Sequence, residues 1–196
     1  MKKFLPNLLY LIFSLPLGVL YFVILITGFS VGAGLAITLI GIPILVVMIF
    51  VTYILGDLDR KLTSLFLGVQ IAKPEARPSE KDSATAILVA QLKSLQFWKE
   101  LGYLLLRMPL GVISFTVAIV FVSVSLALIG APFILTYFPD AQMMLWNGFE
   151  VDTMQEAWVT SALGLIIGVL SVLIVNGLAK GMGIISVWAL GRGEPA

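Results

Sequence analysis

The chain has 196 residues, 60% of them hydrophobic and 12% charged, with a formal net charge of +1. Soluble domains run about 45–50% apolar, so an excess of this size, gathered into runs longer than about 18 residues, means helices that cross a membrane. Cysteine and histidine are absent, which excludes thiol nucleophiles, disulfides, iron–sulfur clusters, His-ligated haem and the usual zinc ligands, while the small net charge excludes a bulk basic footprint for nucleic acid.

Met1-Lys2-Lys3 precedes an apolar run, as in a signal peptide, but residues 8–28 outrun a typical signal core and carry a pattern that recurs mid-chain. The first span is predicted over 8–29. It holds Tyr10-Leu11, then Pro16-Leu17-Gly18-Val19, then Phe22. After the Gly32/Gly34 turn, the second span covers 35–55 and carries Ile40-Gly41-Ile42-Pro43. Next comes an amphipathic helix over 57–71, with Leu58, Leu62, Leu65, Phe66 and Val69 at helical spacing and Asp57, Arg60, Lys61 and Ser64 elsewhere. Residues 73–83 read as a charged, Pro-containing linker. A second amphipathic stretch over 84–99 sets Leu88, Leu92, Leu95 and Trp98 beside Lys93 and Lys99. Helices of this kind lie in the headgroup region.

The third span, 103–128, repeats the first at the same spacing: Tyr103-Leu104, Pro109-Leu110-Gly111-Val112, Phe115. Ile129-Gly130-Ala131-Pro132 answers Ile40-Gly41-Ile42-Pro43, and Trp188-Ala189-Leu190-Gly191 answers Leu65-Phe66-Leu67-Gly68 more weakly. An insertion in the second copy supplies an acidic loop, 137–157, before the fourth span at 158–179. The expectation is an all-α integral membrane protein of four spans, one membrane domain with repeat one at 8–71, a linker at 72–97 and repeat two at 98–191.

Charge placement orients the spans. Lysine and arginine fall before the first span, between the second and third, and after the fourth; between the third and fourth there are only acids. By the positive-inside rule both termini and the central linker are cytoplasmic and the acidic loop faces out, in the cell membrane. Each copy then starts inside and crosses twice. That predicts two parallel repeats about a pseudo-two-fold axis along the membrane normal.

Several residues stand out. Pro16, Pro43, Pro109 and Pro132 are candidate hinges, against the plainer reading of static kinks, since Pro and Gly are ordinary in membrane helices. Gly28/Gly32, Gly164/Gly168 and Gly177/Gly181 are small-residue pairs that let helices approach closely. Arg107 is an intramembrane charge one turn inside its span, a functional-site candidate by default, against the favoured reading that it lies near enough to the end to snorkel to the headgroups. Asn176 is placed to bond across helices. No other Asp, Glu, Lys or Arg lies deep in the predicted spans, which argues against a proton relay or an ion-coupled transporter. In the outward loop, Asp140, Trp146, Glu150, Asp152 and Glu156 are a candidate recognition surface for a cation, a cationic peptide or a partner protein. The favoured alternative is a loop resting on the outer leaflet. Thr153 and Glu156 read as a capping box. No phosphate loop, nucleophile elbow or paired-carboxylate motif is present, so no catalytic residue, metal or cofactor is expected and the chain reads as a non-enzyme.

The stretches YLIFSLPLGVLYFVILITGFSVGAGLAITLIGIPIL, SLFLGVQI, FWKELGYLLLRMPLGVISF and LIVNGLAKGMGIISVWALG, with Asp59-Arg60 before the second, resemble the prokaryotic putative sensor domain family. That resemblance implies a four-helix membrane module of bacteria and archaea, often N-terminal in histidine kinases and sometimes alone. Asp59-Arg60 stands where the family shows an acidic-Arg pair after the second helix. Asn176-Gly177-Leu178-Ala179 stands where an Asn-Gly stretch closes the fourth. No transmitter, ATPase or DNA-binding domain follows before Ala196, so a stand-alone member is expected. Its function is then a membrane sensor or signalling module in the lipid bilayer, acting through a protein partner or as a homo-oligomer and not on nucleic acid. The outward loop would meet the stimulus, with Asp59, Arg60 and Trp98 as cytoplasmic output. The rivals are an accessory or assembly subunit of a membrane complex, a small transporter or channel, and a lipid-binding membrane protein.

Overall fold

The computed structural model describes residues 4–68, 71, 83–138 and 151–191. Asp140, Trp146 and Glu150 of the acidic loop, and most of the charged linker, lie outside these. The elements in chain order are α1 (Phe4–Gly34), a short 3-10 turn (Ala36–Thr38), α2 (Gly41–Leu67), α3 (Ala84–Leu92), α4 (Leu95–Ile129), α5 (Ala131–Tyr137) and α6 (Met154–Leu190). Four of them, α1, α2, α4 and α6, are long and apolar enough to cross a membrane, and no strand occurs among the described residues. The chain is an all-α, multi-pass membrane protein.

Element boundaries follow local chemistry. The second span and the amphipathic stretch after it form one helix, because nothing between Leu55 and Leu67 breaks it. The stop is Gly68, whose φ of 71° is left-handed and whose N–H bonds the Ser64 carbonyl. The second amphipathic stretch is split instead. Ser94 caps α4 by accepting the Phe97 N–H at 3.3 Å, so Leu88 and Leu92 belong to α3 and Trp98 to α4. The helix α6 starts at Met154, ahead of the predicted span, because Thr153 and Glu156 form a capping box: Thr153 Oγ1 accepts the Glu156 N–H, and Glu156 Oε2 accepts the Thr153 N–H. Thr153→Ala is expected to lower stability by about 1 kcal/mol, read by thermal unfolding in detergent.

Ile24, Val120, Leu165 and Leu173 are exposed on the long helices, as suits helices whose surrounding solvent is hydrocarbon. In that solvent helices associate through close packing and interhelical hydrogen bonds rather than through a hydrophobic difference. The α4–α6 seam shows this directly. Ser125 Oγ donates to the Gly164 carbonyl at 2.9 Å, Ser161 Oγ to that of Ile129 at 3.2 Å, and Ser171 Oγ to that of Phe121 at 3.0 Å. Gly28 and Gly32 admit Met48 and Leu45 of α2, whereas nothing lies within 4 Å of where a Cβ would sit at Gly177 or Gly181.

The closest approach joins the two copies of the repeat. A Cβ at Gly18 would stand 2.6 Å from the Arg107 carbonyl oxygen, and one at Gly111 would stand 2.6 Å from that of Ser14. Since Ser14 matches Arg107 and Gly18 matches Gly111 in the repeat, the contact is reciprocal. Farther along, the rings of Phe29 and Phe97 meet with centroids 6.5 Å apart. Rising numbers on α1 therefore meet falling numbers on α4, and the copies pack antiparallel. Gln96 Nε2 donates to the Ala189 carbonyl at 3.3 Å, so α6 ends beside the start of α4, at the Phe29 end of α1 and away from Phe4.

The α1–α4 packing differs from the parallel repeats expected from charge placement. Loop charges bias which side a loop occupies. Which helices touch depends on where small residues let backbones close, and a Ser/Gly pair facing an Arg/Gly pair serves an axis across the helices as well as one along them. Phe29→Cys with Phe97→Cys is expected to cross-link with a thiol reagent about 10 Å long, which bridges backbones too far apart for a direct disulfide, with no background because the chain lacks cysteine. Phe29→Cys with Val122→Cys, the pair that parallel copies would bring level, is expected to stay unlinked.

Candidate functional site: a buried charge network

Where α1 and α4 cross, the bundle holds charge instead of hydrocarbon side chains. Arg107 is fully buried, and so are Asp59, Ser14, Thr63, Glu100 and Ser186. Arg107 Nη2 pairs with Asp59 Oδ1 at 3.2 Å, and its Nη1 donates to the hydroxyls of Tyr10 and Tyr103 at 2.8 and 3.1 Å. The guanidinium also lies over the Tyr10 ring, 5.0 Å from its centroid. Tyr103 OH donates to Asp59 Oδ2 at 2.6 Å and shares a hydrogen bond with Ser186 Oγ. Tyr10, Asp59, Arg107 and Ser186 come from α1, α2, α4 and α6, so one ion pair and its hydroxyls tie all four long helices.

A second node adjoins it. Arg60 Nη1 pairs with Asp57 Oδ1 at 2.8 Å and Nη2 with Glu100 Oε1 at 3.0 Å. Its Nε and Nη2 also donate to the Leu190 carbonyl at 3.2 and 3.0 Å, which satisfies a carbonyl at the open end of α6. Glu100 fits because Gly56 faces it; a Cβ there would collide with the carboxylate. Together the nodes hold the guanidiniums of Arg60 and Arg107 and the carboxylates of Asp57, Asp59 and Glu100. A charge taken out of water is tolerated only when paired and hydrogen-bonded, so these contacts are a condition of the fold rather than an ornament of it.

The sequence-derived candidates fall out differently from their expectations. Arg107 does not snorkel. With a carboxylate and two phenols in reach, its guanidinium is satisfied inside the bundle. Asp59 and Arg60 are buried, because α2 continues past the predicted boundary and turns them inward. Trp98 is half-exposed, with Nε1 donating to the Leu92 carbonyl at 3.0 Å. Asn176 accepts a hydrogen bond from Asn7 Nδ2 at 2.7 Å, a further α1–α6 link. Pro16 and Pro109 sit on outward faces of unbroken helices; Pro43 is exposed near the start of α2, and Pro132 half-buried at the start of α5. Glu156 is engaged in the cap of α6, where Asp152 also gives it a backbone N–H at 3.1 Å.

Tyr10, Glu100, Tyr103 and Ser186 were missed. A signal was present for all but Ser186. Glu100, Tyr103 and Arg107 recur at the spacing of one helix face, and Tyr10 and Tyr103 are matched positions of the repeat.

A family model described as "Putative sensor" matches residues 10–188. The chain belongs to the putative sensor family. The matched stretch of this sensor domain contains every residue of the network named above except Leu190. Among curated proteins and solved structures, none matched the chain.

Proposed function

We propose that this chain is a non-enzymatic sensor of the cytoplasmic membrane that acts through a protein partner, with the buried network as the element whose arrangement reports the stimulus. One observation carries the reading. In a chain of a sensor family, a single polar cluster touches all four long helices, so a shift of any one helix changes the partners of Arg107 or Arg60. Coupling between distant surfaces needs such an element with discrete arrangements. The absence from the sequence of a nucleophile elbow, phosphate loop or histidine supports a binding role over a catalytic one.

The test is affinity capture of the full chain from native membranes, with and without envelope stress, alongside a deletion strain. A specific partner whose recovery changes with stress, and a stress phenotype on deletion, are the expected results. No partner and no phenotype would sink the proposal. A complex of fixed stoichiometry, indifferent to stress, would make the chain an accessory subunit instead.

A second reading, a small transporter, gains from the three carboxylates set against two guanidiniums inside the bundle, since intramembrane acids are the usual proton carriers. Proteoliposomes that pass neither protons nor alkali cations would remove it.

A further inference from the structure

Away from the network, α1, α2, α3 and α4 enclose a cavity of about 330 Å³. Leu25, Ile49, Phe97 and Leu101 form its buried floor, and exposed Leu92 and Trp98 stand at its rim. Among the described residues Ser30 brings the one hydroxyl to the lining, which is otherwise aliphatic and aromatic. Apolar cavities exclude water, and filling one restores the contacts its walls lack. In a bilayer the group available to fill it is an alkyl chain. Roughly ten methylene groups suit this volume, taking each as about the 30 Å³ that a water occupies.

We propose that this cavity seats one alkyl chain of a membrane lipid. The rim fits such an occupant. The Trp98–Leu92 hydrogen bond fixes the corner between α3 and α4, and exposed Lys93 lies in that corner, between the lining residues Leu92 and Phe97, where it faces an anionic headgroup. Lys99 is engaged over the Trp188 ring, 5.4 Å from its centroid.

The site also reaches the network. Gln91 of α3 accepts the Tyr53 hydroxyl, Tyr53 packs on Phe97 with centroids 6.2 Å apart, and Glu100 lies one turn farther along α4. A seated chain holds α3 against this path. That coupling deepens the sensory reading and rests on it, by naming bilayer lipid as the stimulus; the binding itself does not.

The experiment is native mass spectrometry of the full chain purified in mild detergent. Wild type is expected to keep one lipid per chain, its mass telling a phospholipid from a free fatty acid. Leu88→Trp, which fills the cavity from α3, is expected to lose at least nine-tenths of it, with Leu105→Trp as the alternative should the first not fold. Leu173→Trp, on an exposed face of α6, should keep the lipid. Wild type without a retained lipid, or equal retention in the cavity-filled variant, would overturn the site. Hydrogen exchange over residues 84–92 separates the two claims. It should quicken about tenfold on delipidation; exchange unchanged by delipidation, in a wild type that had retained its lipid, would keep the site and discard the coupling.

Discussion

Arg107→Met is expected to destabilise the protein by about 3–5 kcal/mol, the cost of leaving a buried carboxylate without its partner. Three contacts are lost together: the ion pair to Asp59 and the hydrogen bonds to Tyr10 and Tyr103. Arg107→Lys should recover only part, because an ammonium cannot present the planar fork that serves a carboxylate on one nitrogen and two phenols on another. The decisive comparison is a double-mutant cycle. With Asp59→Asn, Arg107→Met should cost clearly less than the sum of the single changes, since no uncompensated charge is left behind. Unfolding in mixed detergent measures all four proteins. Strict additivity would show that the pair does not act as a unit.

The second large effect is expected at Gly111. Gly111→Leu drives a side chain into the Ser14 backbone, where even a Cβ has no room. Overpacking in a close-packed interior costs roughly 1–3 kcal/mol, and more where the obstacle is backbone and cannot rotate away. The expected loss is therefore at or above the top of that range, with α1 and α4 forced apart. Gly18→Leu should behave alike, because the contact is reciprocal. Gly177→Leu is the control, with open space around its Cβ, and should change the unfolding midpoint little. If Gly111→Leu were as mild as Gly177→Leu, the helix crossing described above would be wrong.

Much of the fold was legible beforehand. Four apolar segments announce four helices by length alone, and the doubled Tyr-Leu…Pro-Leu-Gly…Phe pattern announces a duplication. The cap at Thr153 and Glu156 was readable too, because both of its arms lie within one turn of chain. The network was less so. Asp59 and Arg60 look like surface residues when the second span is assumed to end where its hydropathy falls. A hydropathy window does not see that the helix continues, or that Tyr103 and Glu100 wait on another helix to receive those charges. The residues of α4 alone name no full set of partners for Arg107, and snorkelling is the cheaper fate for a long cation without them.

What the sequence determined by itself is whatever depends on near neighbours and on composition: membrane class, the number of long apolar spans, the cap at Thr153 and Glu156, and the absence of cysteine and histidine with the chemistry that goes with them. The tertiary structure alone decided three things. It turned Arg107, Asp59 and Arg60 inward, set the two copies antiparallel through Gly18 and Gly111, and enclosed the apolar cavity under α3. Each depends on groups far apart in the chain. A buried charge takes the direction of its partner, and close packing takes the direction that small residues on both helices permit. Neither is written in the residues of one helix.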